Sequence, residues 1–209
     1  MTTPRNLFGE AIERALNELV RIVTDAAATG NPDRIQAIFE SLRPFDGAMH
    51  QLRGPFFELL TGHCLLSVEE GRVDIDYDVV DPSTREATNI DVLHRKGLGF
   101  LTAYECKGKL SASSVSSDEV KDWLRRQVPR IYGYLRSQDE FKNRKITFAF
   151  WTTGVFSPGA QRYLSEMKTP ADTKYSLEWK DGQGVRQYAQ KNGLSKMVRL
   201  LDDYFRSAP

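Results

Sequence analysis

Between Val73 and Cys106 the apolar residues of the chain change period. Val73, Ile75, Tyr77 and Val79 alternate with Asp74, Asp76 and Asp78. A repeat of two fits a strand with one wet face and does not fit a helix. Asp81-Pro82-Ser83-Thr84 supplies a turn. Asn89 to His94 then reads as a second strand, Lys96-Gly97 as a turn, and Gly99 to Cys106 as a third strand. Three short strands separated by turns predict an antiparallel meander. The apolar run from Leu98 to Tyr104 suggests that the third strand is buried on both faces.

Helical periodicity flanks the meander. Phe8, Ile12, Ala15, Leu16, Leu19, Val20 and Val23 predict an amphipathic helix over roughly 5–28. Gly30-Asn31-Pro32 ends it, and Asp33 caps a second helix through Leu42, which Pro44 and Gly47 break. A third helix is expected from Pro55 to about Gly62. Ser116-Ser117-Asp118-Glu119 marks the start of a long helix to about Arg136, with Pro129 and Gly133 expected to kink or split it. Lys145 to Thr152 is a fourth strand, and Ser157-Pro158 opens a helix through Met167. Tyr175 to Trp179 is a fifth strand, Asp181-Gly182 a turn, and helices close the chain. With no repeat, linker or low-complexity segment, the 209 residues predict one α/β domain over 1–209. Within it, 1–45 is a helical extension, 54–155 the core, and 156–209 a C-terminal strand with helices.

At 27% charged and 40% hydrophobic, the composition is that of an ordinary globular protein. No apolar run approaches the roughly 20 residues of a membrane span. The N-terminus lacks the basic-then-apolar pattern of a secretory signal. Cys64 and Cys106 give neither a disulfide framework nor a zinc set, which points to a cytoplasmic setting. A net charge of +1 does not decide nucleic-acid binding, which needs local Lys/Arg clusters. Arg125, Arg126, Arg130, Arg136, Lys142, Arg144 and Lys145 form one such stretch, whereas Glu69 to Asp81 is acidic. The alternative is two solvated faces of opposite sign.

Chemistry gathers at Asp91 and at Glu105-Cys106-Lys107. Glu105 and Lys107 are two apart and share one strand face, while Cys106 points the other way. Asp91 shares the Glu105 face only if cross-strand partners have an even residue sum. A three-residue connection, Lys96-Gly97-Leu98, or an equivalent bulge meets that condition; a two-residue loop without a bulge does not. Two carboxylates so placed can supply the hard oxygens that Mg²⁺ takes alongside water and substrate phosphate. The alternative is three charged strand residues facing water. Against it, charges at the end of a buried strand need partners. Glu58 is a fourth candidate, since Gly54 and Gly62 at i−4 and i+4 leave room for a close approach, although an exposed helix glutamate fits the same pattern. His50, His63 and His94 are scattered, and His94 reads as structural. Trp123, Trp151 and Trp179 read as core. No Gly-x-Ser-x-Gly or P-loop occurs.

Asn89-Ile90-Asp91-Val92-Leu93 followed by Tyr104-Glu105-Cys106-Lys107-Gly108 resembles the PD-(D/E)XK nuclease superfamily, the restriction-endonuclease-like fold. Gly54 to Leu60, carrying Glu58, is similar to the family's first helix with its acidic residue. Trp151 to Ala160 and Leu177 to Gly182 look like segments of Mrr-type restriction endonucleases. The family's Pro-Asp is Ile90-Asp91 here. RecB-type relatives carry Gln with Tyr four residues on; here Gln127 is followed by Ile131, and Tyr132 comes one later. The resemblance implies an α-β-β-β-α-β mixed sheet flanked by helices. It implies Mg²⁺, with Mn²⁺ as a substitute, held by Asp91, Glu105 and the Cys106 carbonyl, with Glu58 acting through water. Lys107 would position or help deprotonate the attacking water and stabilise charge on the phosphate. Arg125, Arg126 and Arg130, with Gln127, would contact the nucleic-acid backbone. The expected activity is phosphodiester hydrolysis, DNA favoured, in restriction and defence or in mobile-element biology, by a homodimer or a subunit of a larger complex. The alternative is a catalytically silent module of the same fold that binds nucleic acid or a protein partner.

Overall fold

A computed structural model describes residues 46–167 and 175–206, with side chains from Arg53 onward. The helices expected over 5–28 and 33–42, and hence the helical extension, lie outside the described residues. Five strands form one mixed sheet: β1 (Arg72–Val80), β2 (Ala87–Lys96), β3 (Phe100–Lys107), β5 (Lys145–Thr152) and β7 (Tyr175–Lys180), ordered β1-β2-β3-β5-β7. The first three form the expected antiparallel meander, and β3, β5 and β7 run parallel. The short strands β4 (Ser114–Val115) and β6 (Val155–Phe156) pair in a separate parallel ribbon that the sequence did not announce.

Helices cover both faces. On one face, α1 (Asp46–Val68), α5 (Gly182–Lys191) and α6 (Ser195–Phe205) bury Phe56, Phe57, Leu60, Leu65, Met197 and Phe205 against Val92, Tyr104, Cys106 and Trp151. On the other, α2 (Ser117–Asp122), α3 (Val128–Ser137) and α4 (Pro158–Glu166) bury Trp123, Leu124, Ile131 and Leu164 against Leu93, Leu101, Phe148 and Phe150. Central β3 is therefore buried on both sides, as its apolar run requires. Trp123 and Trp151 are core residues and Trp179 packs at the core's edge. Among the described residues no helix is long and apolar enough to cross a membrane.

Three local expectations are corrected. Helix α1 starts well before Pro55 and runs past Gly62, because the apolar stripe beyond the proline is buried deeply enough to carry one lost ladder bond. The helix from Ser117 does not break at Gly133, which lies inside α3. It instead widens into a π-turn over Trp123–Gln127, where the Val128 N–H bonds the Trp123 carbonyl just ahead of Pro129. Asp181-Gly182 is a helix start rather than a turn, since the Asp181 carboxylate accepts the Gly184 N–H at 2.8 Å and caps α5. By contrast, the helix signal at Ser116 holds: Ser116 and Glu119 form a reciprocal capping box.

Two glycines set how α1 meets the sheet. A Cβ on Gly62 would lie 2.8 Å from Ile75 Cδ1, so the helix rests directly on β1. One on Gly108, just after β3, would lie 2.0 Å from the Arg53 carbonyl oxygen. The chain leaving the candidate site thus crosses the α1 backbone at a distance only glycine permits. Gly108→Ala is expected to cost about 1–3 kcal/mol in urea unfolding, since rigid backbone must move to admit the methyl. An unchanged midpoint would mean that this crossing is loose.

Candidate functional site

The hairpin between β2 and β3 turns through three residues, Gly97-Leu98-Gly99, with Lys96 opposite Phe100. The loop lies one residue later than expected, but the partner sum is still even. Continued past Val92 opposite Tyr104, the register sets Asp91 across from Glu105. The strands part there. The Cys106 N–H, released from the ladder, donates to Asp91 Oδ2 at 2.6 Å. Asp91 is 9% exposed and Glu105 5% exposed, so both carboxylates are essentially inside the protein. Lys107 Nζ lies 2.5 Å from Glu105 Oε1, pairing the two residues that share the strand face.

The end of β3 is fixed from its other neighbour. The Thr152 hydroxyl donates to the Lys107 carbonyl at 2.9 Å. The Thr153 hydroxyl donates to the Lys109 carbonyl at 2.6 Å and accepts the Lys109 N–H at 2.7 Å. Both threonines are buried. Lys109 in turn bridges to Glu119 at 2.8 Å, which ties the start of α2 to the same strand end. Sequence reasoning did not single out these threonines; their polar side chains ending an otherwise apolar strand were the available signal.

Glu58 enters from α1, half-buried. Burial, then the charges of Asp91 and Asp76, push its carboxyl up to about 8. Burial followed by the Glu105 charge raises Asp91 to about 7, against the opposing Cys106 hydrogen bond. Burial works to lower Lys107, but Glu105 beside it holds the ammonium above its ordinary value. Glu58, Asp91 and Glu105 therefore form one electrostatic unit around a lysine. Asp76, which the sequence placed on a wet strand face, acts on it too. Among the described residues no three His, Cys, Asp or Glu side chains converge into a finished metal cage. What lies together instead is a pair of buried carboxylates, Asp91 and Glu105, whose hard oxygens are of the kind Mg²⁺ takes alongside water. Ionising all three carboxylates of the unit beside one lysine would leave negative charge of the kind a divalent cation offsets.

The remaining candidates lie elsewhere. Arg125 donates to the Tyr163 hydroxyl at 3.0 Å and stacks on that ring. Arg126 pairs with Asp122 at 3.0 Å, and Arg130 pairs with Glu86. These arginines and Gln127 follow α2 away from the Lys109–Glu119 bridge and do not touch the carboxylates. The exposed Arg126–Asp122 pair is of the kind that contributes little to stability. His94 is fully buried, with Nδ1 3.6 Å from Glu69 and its pKa lowered chiefly by burial, a structural placement.

No family model matches the chain, and no curated protein matches it. Two solved structures are similar to it. The crystal structure of a protein of unknown function, AF1548, is 14% identical, with a TM-score of 0.44, over 68% of this chain and 77% of that one. MspJI restriction endonuclease, in complex with a 27-mer oligonucleotide, is 17% identical, with a TM-score of 0.29, over 78% of this chain. The match spans 37% of the MspJI chain.

Because Glu58 is raised in the folded state, it favours folding fully below its unfolded pKa of about 4.5, and that contribution is lost as pH rises through about 8. Glu58→Gln should therefore gain stability relative to the parent, on the order of 1–3 kcal/mol by pH 8, with little gain at pH 4.5. Thermal melts in EDTA across that range measure the difference; a constant offset would remove Glu58 from the electrostatic unit.

Proposed function

We propose that the chain is a divalent-cation-dependent nuclease of the PD-(D/E)XK type, with DNA as the favoured substrate. One observation carries this reading: the parted end of β2 and β3, where Cys106 fixes a buried Asp91 carboxylate across from the Glu105–Lys107 pair. The sequence resemblance names the same residues, and the charge imbalance among them suits a cation.

In this reading Asp91, Glu105 and the Cys106 carbonyl hold Mg²⁺, or Mn²⁺ in its place, with Glu58 beside them. The cation would supply Lewis-acid stabilisation of developing charge and ease the ionisation of a water. Asp91 is oriented by a main-chain N–H rather than by a mobile side chain, so its carboxylate needs no reorganisation. Lys107, held as an ammonium by Glu105, suits stabilisation of phosphate charge better than proton removal. Arg125, Arg126 and Arg130 can grip a phosphate backbone beyond the cutting point, positioning it without reading sequence. The rival, a silent module of the same fold, draws on the engagement of Glu105 with Lys107 and the lack of a finished cage among the described residues.

The test incubates the protein with supercoiled and linear DNA, and with RNA, in Mg²⁺, Mn²⁺ or EDTA. Cutting is expected with the metals and not with EDTA. Asp91→Ala and Lys107→Ala should each reduce it by about 100-fold or more. Metal-dependent cutting that survives both substitutions would dismiss these residues. A parent that cuts nothing would favour the silent module.

A further inference from the structure

Asp76 has a backbone φ of +52°, a left-handed conformation that costs a side-chain-bearing residue energy and that Asp tolerates better than most. It sits in mid-strand, where such a conformation has no place in a regular ladder. In the β1–β2 register Ile75 is opposite Val92 and Tyr77 opposite Ile90, so the skipped position between them is Asp76 across from Asp91. Side-chain alternation breaks there on both strands. Val73 and Ile75 pack with the α1 layer, but Tyr77 and Val79 pack with the α2–α3 layer. Val92 packs with the first layer and Ile90, two residues away, with the second. Asp76 Oδ1 accepts the Asn89 side-chain amide at 2.6 Å, which ties the break in β1 to the residue two before Asp91.

We propose that Asp76 is a positioning residue for the nuclease site: its left-handed backbone and its Asn89 bond create the twist that turns Asp91 out of both ladders and onto the Cys106 N–H. A regular β1–β2 ladder would hold Asp91 in strict alternation between Ile90 and Val92. Its charge also bears on Asp91 and Glu58, but the geometry is what the role requires. Strain of this kind persists only where the surrounding structure overrules it, and it gathers at functional sites.

This inference rests on the cation-site reading for its consequence, but not for its first measurement. That measurement is the amide proton resonance of Cys106 in ¹H–¹⁵N spectra without divalent metal. A short bond to a carboxylate moves that proton downfield, and Asp91→Ala sets the position of the broken bond. Asp76→Asn keeps both the left-handed backbone and an acceptor for Asn89 and should hold the Cys106 proton near its parental position, whereas Asp76→Gly keeps only the backbone and should move it part of the way. Asp76→Ala should move it toward the Asp91→Ala value. Asn89→Ala, the milder change, should move it part of the way, and carries the test if Asp76→Ala does not fold. In Mn²⁺ titrations of the folded variants by calorimetry, Asp76→Ala should bind about tenfold more weakly than Asp76→Gly. A Cys106 proton unmoved in Asp76→Ala, or in Asn89→Ala where that variant carries the test, overturns the proposal. So does equal weakening of Mn²⁺ binding by the Ala, Gly and Asn variants, which would assign Asp76 a role through charge alone. A parent that binds no Mn²⁺ while the Cys106 proton responds as expected would overturn the cation-site reading and leave the positioning role standing.

Discussion

Where β2 and β3 separate, one main-chain N–H must find an acceptor inside the protein, and it finds the carboxylate of Asp91. A buried N–H without a partner is costly, and so is a buried carboxylate. Each is satisfied by the other, and the arrangement has no slack. Asp91 is thereby fixed at the end of the central strand, beside Glu105 and within electrostatic reach of Glu58. The surrounding elements keep that junction in place. Thr152 and Thr153 hold the β3 end to β5, and Gly108 lets the departing chain pass against the α1 backbone.

The cost of this construction is electrostatic. Carboxylates from α1, β2 and β3 crowd around one lysine, and the carboxyl groups of Glu58 and Asp91 respond by holding their protons more tightly. A protein built only for stability would replace such a set with apolar residues of similar volume. Keeping it is what the proposed binding of a cation would require. Two well-packed apolar layers, one on each face of the sheet, carry the penalty.

Much of this was legible in the chain. The two-residue period of Val73 to Val79, the apolar run before Glu105 and the Ser116–Glu119 signature each led to the element that formed. So did the parity condition on the hairpin, which the loop satisfied one residue late. What could not be read follows from tertiary packing. Pro55 argues locally for a helix start, yet burial of Phe56 to Leu65 extends the helix on both sides. Pro129 acts one turn earlier than its own position, through a π-turn. Asp76 could not be told from Asp74 and Asp78 by pattern, because its distinction is a backbone angle and a cross-strand neighbour. Arg125 and Arg126 of the π-turn and Arg130 of α3 kept a helical path but pair with Tyr163, Asp122 and Glu86 rather than with the site carboxylates, as composition alone cannot place them.

The central claim is that Asp91, Glu105 and the Cys106 carbonyl form a divalent-cation site. Anomalous diffraction from crystals soaked in Mn²⁺ tests it most directly, because the ion locates itself without reference to activity. The account requires an anomalous peak within coordination distance, about 2–2.5 Å, of oxygens from Asp91 and Glu105, and its loss in Asp91→Ala crystals. A Mn²⁺ peak bound elsewhere on the protein, with none between these two carboxylates at saturating metal, would contradict it.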